Sequence, residues 1–179
     1  MKKIALSVAG PLAALVAGAT GVAIAAQDRS TLTIPDGIAF SEAKGYEGWE
    51  NVSVSQNDKQ LKVIVGNPAM IRVFKSGHPS KAAPVPDGAK MVKIEWERKP
   101  HPIAAFSSAV SVPGDLHAVE IMVKDSKRFA ASGGWGYADF EYDAASQSLK
   151  PNGTGSGCGF ACHTRVADDD YVFTHYGAR

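Results

Sequence analysis

The sequence predicts an α+β domain that is mainly an antiparallel β-sheet, with a few short helices and a C-terminal segment that carries both cysteines. Two observations favour this class. Several short stretches alternate apolar and polar side chains, which is the period of a strand with one buried face. Turn and helix signals separate these stretches and no repeat is visible, so one mixed domain is expected.

The first half of the chain predicts a hairpin followed by a helix. In residues 50–56 valines alternate with serines, Asn57-Asp58 is a turn signal, and β-type sequence resumes over residues 60–65. Asn67-Pro68 favours a helix start, because Asn caps free N–H groups and Pro is tolerated at the first helical position. Gly77 is expected to end this helix.

The second half predicts three more strands, at residues 89–98, 116–124 and 136–142. In the first of them Lys93 lies on the face opposite to an apolar stripe, and in the second Glu120 does the same; the two stripes are Val92/Ile94/Trp96 and Val119/Ile121/Val123. The remaining expectations are an irregular or partly helical lead-in over 27–44, a loop over 78–88, a short helix over 125–131, a flexible Gly-rich linker over 149–157 and a partly helical tail over 158–179.

The N-terminus predicts export. A short positive start, Met1-Lys2-Lys3, precedes an Ala-rich apolar stretch that ends in Ala23-Ile24-Ala25-Ala26, which fits a signal-peptidase site. The stretch is long enough to be an anchor, but no basic stop-transfer cluster follows it. We therefore expect a signal peptide over 1–25, a single domain over 26–179 and a periplasmic location, with no membrane attachment after cleavage.

Charge and composition restrict the expected partners. The formal net charge is +1 and the chain contains no basic run. Neither nucleic acid nor an anionic membrane is therefore expected as a partner.

The most informative segment is Cys158-Gly-Phe-Ala-Cys162-His163, which holds the two cysteines of the chain. It is close to the C-x-x-C-H attachment signal for c-type haem, in which two thiols form thioethers with the porphyrin and the next histidine ligates iron. Here three residues separate the cysteines, and we expect the extra one to bulge out through the backbone freedom of Gly157 and Gly159.

Two other uses of this segment stay open at this point. A Cys158–Cys162 disulfide would leave a haem-free binding or structural domain, although so short a loop removes little entropy from the unfolded chain. A zinc site is the other alternative, but three adjacent ligands have no partner cluster. The remaining histidines have no metal-binding spacing.

Three blocks in one order are similar to the cytochrome P-460 family, and the resemblance runs from about Pro35 to Arg179. They are Val123-Lys124-Asp125-Ser126-Lys127-Arg128-Phe129-Ala130, Gly133-Gly134-Trp135-Gly136-Tyr137-Ala138-Asp139-Phe140, and Cys162-His163-Thr164 with Asp170-Tyr171-Val172-Phe173-Thr174. The resemblance implies a periplasmic mono-haem protein with covalently attached haem c on a mainly antiparallel sheet, usually as a homodimer. Some members oxidise hydroxylamine, and the related β-type cytochromes c′ bind nitric oxide.

The resemblance also implies roles for individual residues. Cys158 and Cys162 match the thioether positions and His163 the iron ligand. Lys93, in Asp87-Gly88-Ala89-Lys90-Met91-Val92-Lys93, matches a lysine that is covalently linked to the haem edge, and Glu120 matches the distal carboxylate that accepts protons. Lys62 falls at the family's distal arginine.

The expected function is oxidation of hydroxylamine or a similar small nitrogen compound, with electrons passing to a soluble acceptor cytochrome. A gas-binding cytochrome of the c′ type is the first alternative. For the cross-link, we expect burial against an apolar ring to lower the pKa of Lys93 and free its amine for attack.

Overall fold

The computed structural model describes residues 27–35, 37–105, 109–153 and 156–178, without the side chains of 156–158. The predicted signal peptide, residues 1–25, lies outside the described residues. In this part of the chain, no helix is long and apolar enough to cross a bilayer.

One six-stranded antiparallel sheet forms the framework, with its strands in sequence order from β1 to β6. The strands are β1 (Glu50–Gln56), β2 (Gln60–Gly66), β3 (Lys90–Pro100), β4 (Ser111–Lys124), β5 (Trp135–Asp143) and β6 (Ser148–Asn152). The described residues also form two α-helices, α1 (Pro68–Ser76) and α2 (Ser156–His163), and several short 3₁₀ turns. The mainly antiparallel sheet with a few short helices is therefore confirmed.

The predicted helix start and end are also correct. The side chain of Asn67 accepts a hydrogen bond from the backbone N–H of Met70, Pro68 occupies the first turn and Gly77 is the C-cap. Met70, Ile71 and Phe74 form the buried side of α1. Packing of this apolar side onto the sheet is what keeps so short a helix folded.

The two faces of the sheet have separate cores. The lead-in face, which we define by Val92, Val119 and Phe140, is covered by residues 32–35 and 37–49 through Ile38 and Phe40. The opposite helix face carries Met91, Trp135 and Tyr137 under α1, α2 and the C-terminal tail. Strand alternation therefore places the predicted apolar stripes on the lead-in face and Lys93 and Glu120 on the helix face.

Three expectations for the connecting segments need correction. The predicted flexible linker over 149–157 is wrong for its described residues, since Ser148–Asn152 form β6 and Ser156–His163 form α2. Pro151 is compatible with β6 because this strand is at the edge of the sheet. In place of a helix over 125–131 the chain makes turns that lead into a 3₁₀ turn at Ala130–Ser132. Strand β4 also begins earlier than predicted, at Ser111.

Candidate functional site

Helix α2 carries His163 and lies directly on β5. A Cβ atom built on Gly159 would be 2.6 Å from Cβ and Cγ of Tyr137, so only glycine allows this close approach. The expected bulge between the cysteines is wrong, because α2 is helical from Ser156 to His163. The extra residue completes about one helical turn between Cys158 and Cys162. Gly159 is thus needed for packing, not for unusual backbone angles.

The His163 ring is held from several sides. Its Nδ1 donates a hydrogen bond to the backbone carbonyl of Tyr171 at 2.7 Å, and its centroid lies 4.9 Å from the rings of both Tyr137 and Phe173. Burial lowers the pKa of His163 below its ordinary value. A neutral imidazole with its proton on Nδ1 leaves the Nε2 lone pair free, which is the form that ligates metals.

The cysteines precede this histidine in α2. Cys162 is exposed and its thiol is free. Cys158 lies in the first half of the helix, and its side chain is outside the described part of the structure.

Lys93 and Glu120 are direct cross-strand neighbours on the helix face. They pair in the register of β3 and β4, and Lys93 Nζ lies 2.5 Å from Glu120 Oε2. Both side chains are partly exposed, at 29% and 37%. His163 packs on Tyr137 of β5, and strand alternation puts Tyr137 on the same face of the sheet as Lys93 and Glu120.

The charge on Lys93 is stabilised, contrary to the expectation from burial. Burial opposes the charge, but Glu120 and Glu95 outweigh it and raise the pKa of Lys93 above its ordinary value. Glu95 Oε1 lies 3.1 Å from Lys93 Nζ. The amine therefore keeps its proton until a nearby base accepts it, and Glu120 is the closest carboxylate.

Glu95 links Lys93 to Lys62 on the next strand. Lys62 Nζ lies 2.8 Å from Glu95 Oε1, in the register of β2 and β3. Burial works against the ionised form of Glu95, but the two lysines prevail and lower the pKa of this carboxyl. The structure thus places Lys62 on the same face as Lys93, two residue pairs farther along the strands.

Asp139 lies beside these charged residues on the helix face, and it was not identified from the sequence. It pairs with Glu120 across β4 and β5, and its Oδ2 accepts a hydrogen bond from the side-chain amide of Asn152 at 2.9 Å. Burial, and then the charge of Glu120, raise the pKa of Asp139. Alternation along β5 from Tyr137 was the signal that placed Asp139 on this face.

Two buried polar atoms on the helix face have no hydrogen-bond partner among the described residues. They are Tyr137 Oη and Asp139 Oδ1. Buried polar groups in proteins are normally satisfied by protein, water or a bound group. Together with the free Nε2 of His163 and the exposed thiol of Cys162, these atoms fit a site that a polar-edged planar cofactor would complete.

The close contact at Gly159 leads to a stability prediction. Gly159→Ala should destabilise the protein by about 1–3 kcal/mol, the usual cost of overpacking, because the new methyl group meets Tyr137 near its backbone. The gain in helix propensity, about 1 kcal/mol, offsets part of this cost. Urea unfolding measures the change, with Gly48→Ala as control because a Cβ there meets nothing within 4 Å. Equal stability of both variants would show that the packing of α2 does not depend on the close contact between Gly159 and Tyr137.

Comparison with known proteins bears on the identity of this site. No curated protein matches the sequence. The family model for Cytochrome P460 matches residues 43–174, which include β1 to β6, α2 and all of Lys93, Glu120, Cys158, Cys162 and His163. The match covers most of the chain, and the chain therefore belongs to the cytochrome P460 family.

Proposed function

We propose that this protein is an exported, periplasmic mono-haem c-type oxidoreductase that oxidises hydroxylamine or a similar small nitrogen compound. Membership of the family indicates a haem protein. The observation that carries the rest is that His163 packs on Tyr137, with ring centroids 4.9 Å apart, on the face of the sheet that also carries the Lys93–Glu120 pair. A metal ligand and an adjacent carboxylate that can take up protons are what such a reaction requires.

Three residues of α2 would hold the cofactor. Cys158 and Cys162 would form the thioethers, and His163 would bind iron through Nε2 while Nδ1 remains hydrogen-bonded to Tyr171. When bound, the haem would supply a redox-active iron.

Glu120 acts as the proton acceptor. Oxidation of hydroxylamine releases protons together with electrons, so the site needs a base close to the substrate nitrogen. Glu120 is partly exposed and lies on the same face of the sheet as His163, which suits this role. Lys93 orients the Glu120 carboxylate through the 2.5 Å contact.

The partners follow from the same chemistry. Each turnover delivers electrons that must leave the protein, and a soluble acceptor cytochrome in the periplasm is the proposed recipient. We propose a homodimer as the assembled form and a cleaved signal peptide over residues 1–25 as the means of export.

Haem attachment is the first point to test. Protein produced with c-type maturation machinery should show haem staining on a denaturing gel and a pyridine haemochrome spectrum, because thioether bonds survive denaturation. The control is the double variant Cys158→Ser/Cys162→Ser, which should show neither. An unstained wild-type band with an intact Cys158–Cys162 disulfide in peptide mass data would refute the haem proposal. Turnover of hydroxylamine with an artificial electron acceptor then tests the reaction itself.

We further propose that Lys93 is covalently joined to the haem edge. Forming the bond would replace one N–H and one ring C–H by a C–N bond, and the two electrons and two protons released would reduce an oxidant of the peroxide class to water. The amine must first lose its proton, which Glu120 Oε2 can take over 2.5 Å. The expected results are a main absorption band shifted to longer wavelength and a tryptic peptide that retains haem at Lys93.

The matched control is Lys90, which lies three positions earlier on the same strand. Its Nζ donates to the carbonyl of Glu42 at 2.7 Å, on the lead-in face. Lys93→Ala should return the band to the ordinary c-type position and abolish oxidation, whereas Lys90→Ala should do neither. An unmodified Lys93 in active, haem-loaded protein would rule out the cross-link and favour a gas-binding cytochrome.

A further inference from the structure

A buried ion pair joins the C-terminal tail to the helix face, apart from the residues discussed so far. Lys124 Nζ lies 2.9 and 3.0 Å from the two carboxylate oxygens of Asp170, and both side chains are under 10% exposed. The same ammonium donates to the carbonyl of Gly133 at 3.0 Å and lies 5.0 Å from the ring centroid of Trp135. Asp170 Oδ2 also accepts the backbone N–H of Val85 at 2.7 Å. Every contact of this pair is therefore made inside the protein.

The backbone at Asp170 is unusual. Asp170 and Tyr171 both have positive φ, at 47° and 64°, a region that side chains disfavour and that rarely holds two successive non-glycine residues. The backbone carbonyl of Asp170 accepts the indole N–H of Trp135 at 2.8 Å. Side chain and backbone of Asp170 are thus both fixed, and this is what holds the disfavoured turn in place.

The turn ends at the carbonyl that contacts His163. Tyr171 directly follows Asp170, and its carbonyl oxygen is the acceptor for His163 Nδ1. The Tyr171 ring packs closely on Gly133 as well. A Cβ atom built on Gly133 would be only 2.2 Å from Cε2 of Tyr171. A chain of contacts therefore runs from Lys124 through Asp170 and Tyr171 to the imidazole.

We propose that Asp170, through its ion pair with Lys124, is a positioning residue for His163: it fixes the Tyr171 carbonyl that holds the imidazole proton on Nδ1 and so turns Nε2 towards the metal. This inference rests on the proposed role of His163 as the iron ligand. Partners of the second ring nitrogen set the tautomer and the basicity of a ligating histidine. Asp170 is therefore expected to affect the reduction potential of the iron through Tyr171 and His163.

The test compares Asp170→Asn with the wild-type haem-loaded protein. Asn tolerates positive φ, so this change removes the charge pairing and leaves the local backbone preference intact. Without the ion pair the Tyr171 carbonyl is held less firmly, so its hydrogen bond with His163 Nδ1 becomes weaker. A weaker hydrogen bond at Nδ1 makes the imidazole less electron-rich. The expected results are a lower iron–histidine stretching frequency in the ferrous resonance Raman spectrum and a higher reduction potential.

Two controls distinguish an effect on the position of His163 from a general loss of protein stability. Ile38→Ala removes a fully buried side chain from the lead-in face, so it should lower stability and leave frequency and potential unchanged. The double variant Lys124→Met/Asp170→Asn leaves no uncompensated buried charge, so it should fold more readily than Asp170→Asn. It should shift the stretching frequency and the reduction potential as Asp170→Asn does. Wild-type frequency and potential in the folded, haem-loaded variants would overturn the proposal.

Failure of the proposed function gives a different result. If the wild-type chain carries no haem, the hydrogen bond is still measured by ¹⁵N NMR of His163 in the full-length protein. The Nδ1–H tautomer should predominate in the wild type and decline in the double variant. An unchanged tautomer ratio would overturn the positioning role independently of haem.

Discussion

Replacing His163 by alanine is expected to remove the iron ligand and most ordered haem binding. His163 is the histidine that adjoins the cysteines, and its Nδ1 hydrogen bond to Tyr171 leaves Nε2 available. Because axial ligation sets the electronic state of the iron, the absorption and electron paramagnetic resonance spectra should both change. Added imidazole should restore part of the wild-type spectrum by entering the space left by the side chain.

The matched controls are His117→Ala and His175→Ala. His117 lies in β4, and His175 stacks on His78 with ring centroids 4.3 Å apart. Neither variant should change the spectrum. A His163→Ala protein with the wild-type spectrum would mean that another residue ligates the iron, and the proposed site would have to be moved.

Replacing Glu120 by alanine is expected to leave haem incorporation intact and to reduce hydroxylamine oxidation by about 100-fold or more, the usual scale for loss of a positioned base. During turnover Glu120 acts on bound substrate, so the loss of activity should fall mainly on kcat. Steady-state turnover with an artificial acceptor measures it, and the haemochrome spectrum reports haem content.

Glu97→Ala is the control for this change, because Glu97 lies two positions beyond Glu95 on the same face of β3 and is exposed. It should retain wild-type turnover. If Glu120→Ala did so too, Glu120 would be an ordinary solvent-facing residue paired with Lys93, and proton transfer would pass to another group. Asp139, its cross-strand neighbour, would then be the first candidate.

The strands were the most predictable part of the fold, because alternation records which side chains are buried. The strand at Glu50–Gln56 and the faces of β3 and β4 were predicted correctly, but in β1 only Val52 is buried and Val54 is 69% exposed. β6 was missed since Pro151 and the following Gly153 resemble a linker, and only an edge position makes that proline acceptable. The capped start of α1 was local information and was therefore visible in the sequence.

The candidate site was only partly predictable. Alternation was enough to place Lys93 and Glu120 on one face, but their 2.5 Å contact depends on the register of β3 against β4. The raised pKa of Lys93 was missed because Glu95 supplies part of the compensating charge. The Tyr171 carbonyl had no sequence signature at all, since every residue carries such an acceptor.

The order of the strands has a consequence for how the molecule folds. Each strand pairs with its neighbour in sequence, and the hairpins β1–β2 and β5–β6 close through turns of only three and four residues, for which the entropy cost is small. Lys93, Glu120 and Asp139 come from three successive strands. We therefore expect the strands that carry Lys93, Glu120 and Asp139 to pair before α2 docks. Helix α2 then completes the structure by packing Gly159 against Tyr137.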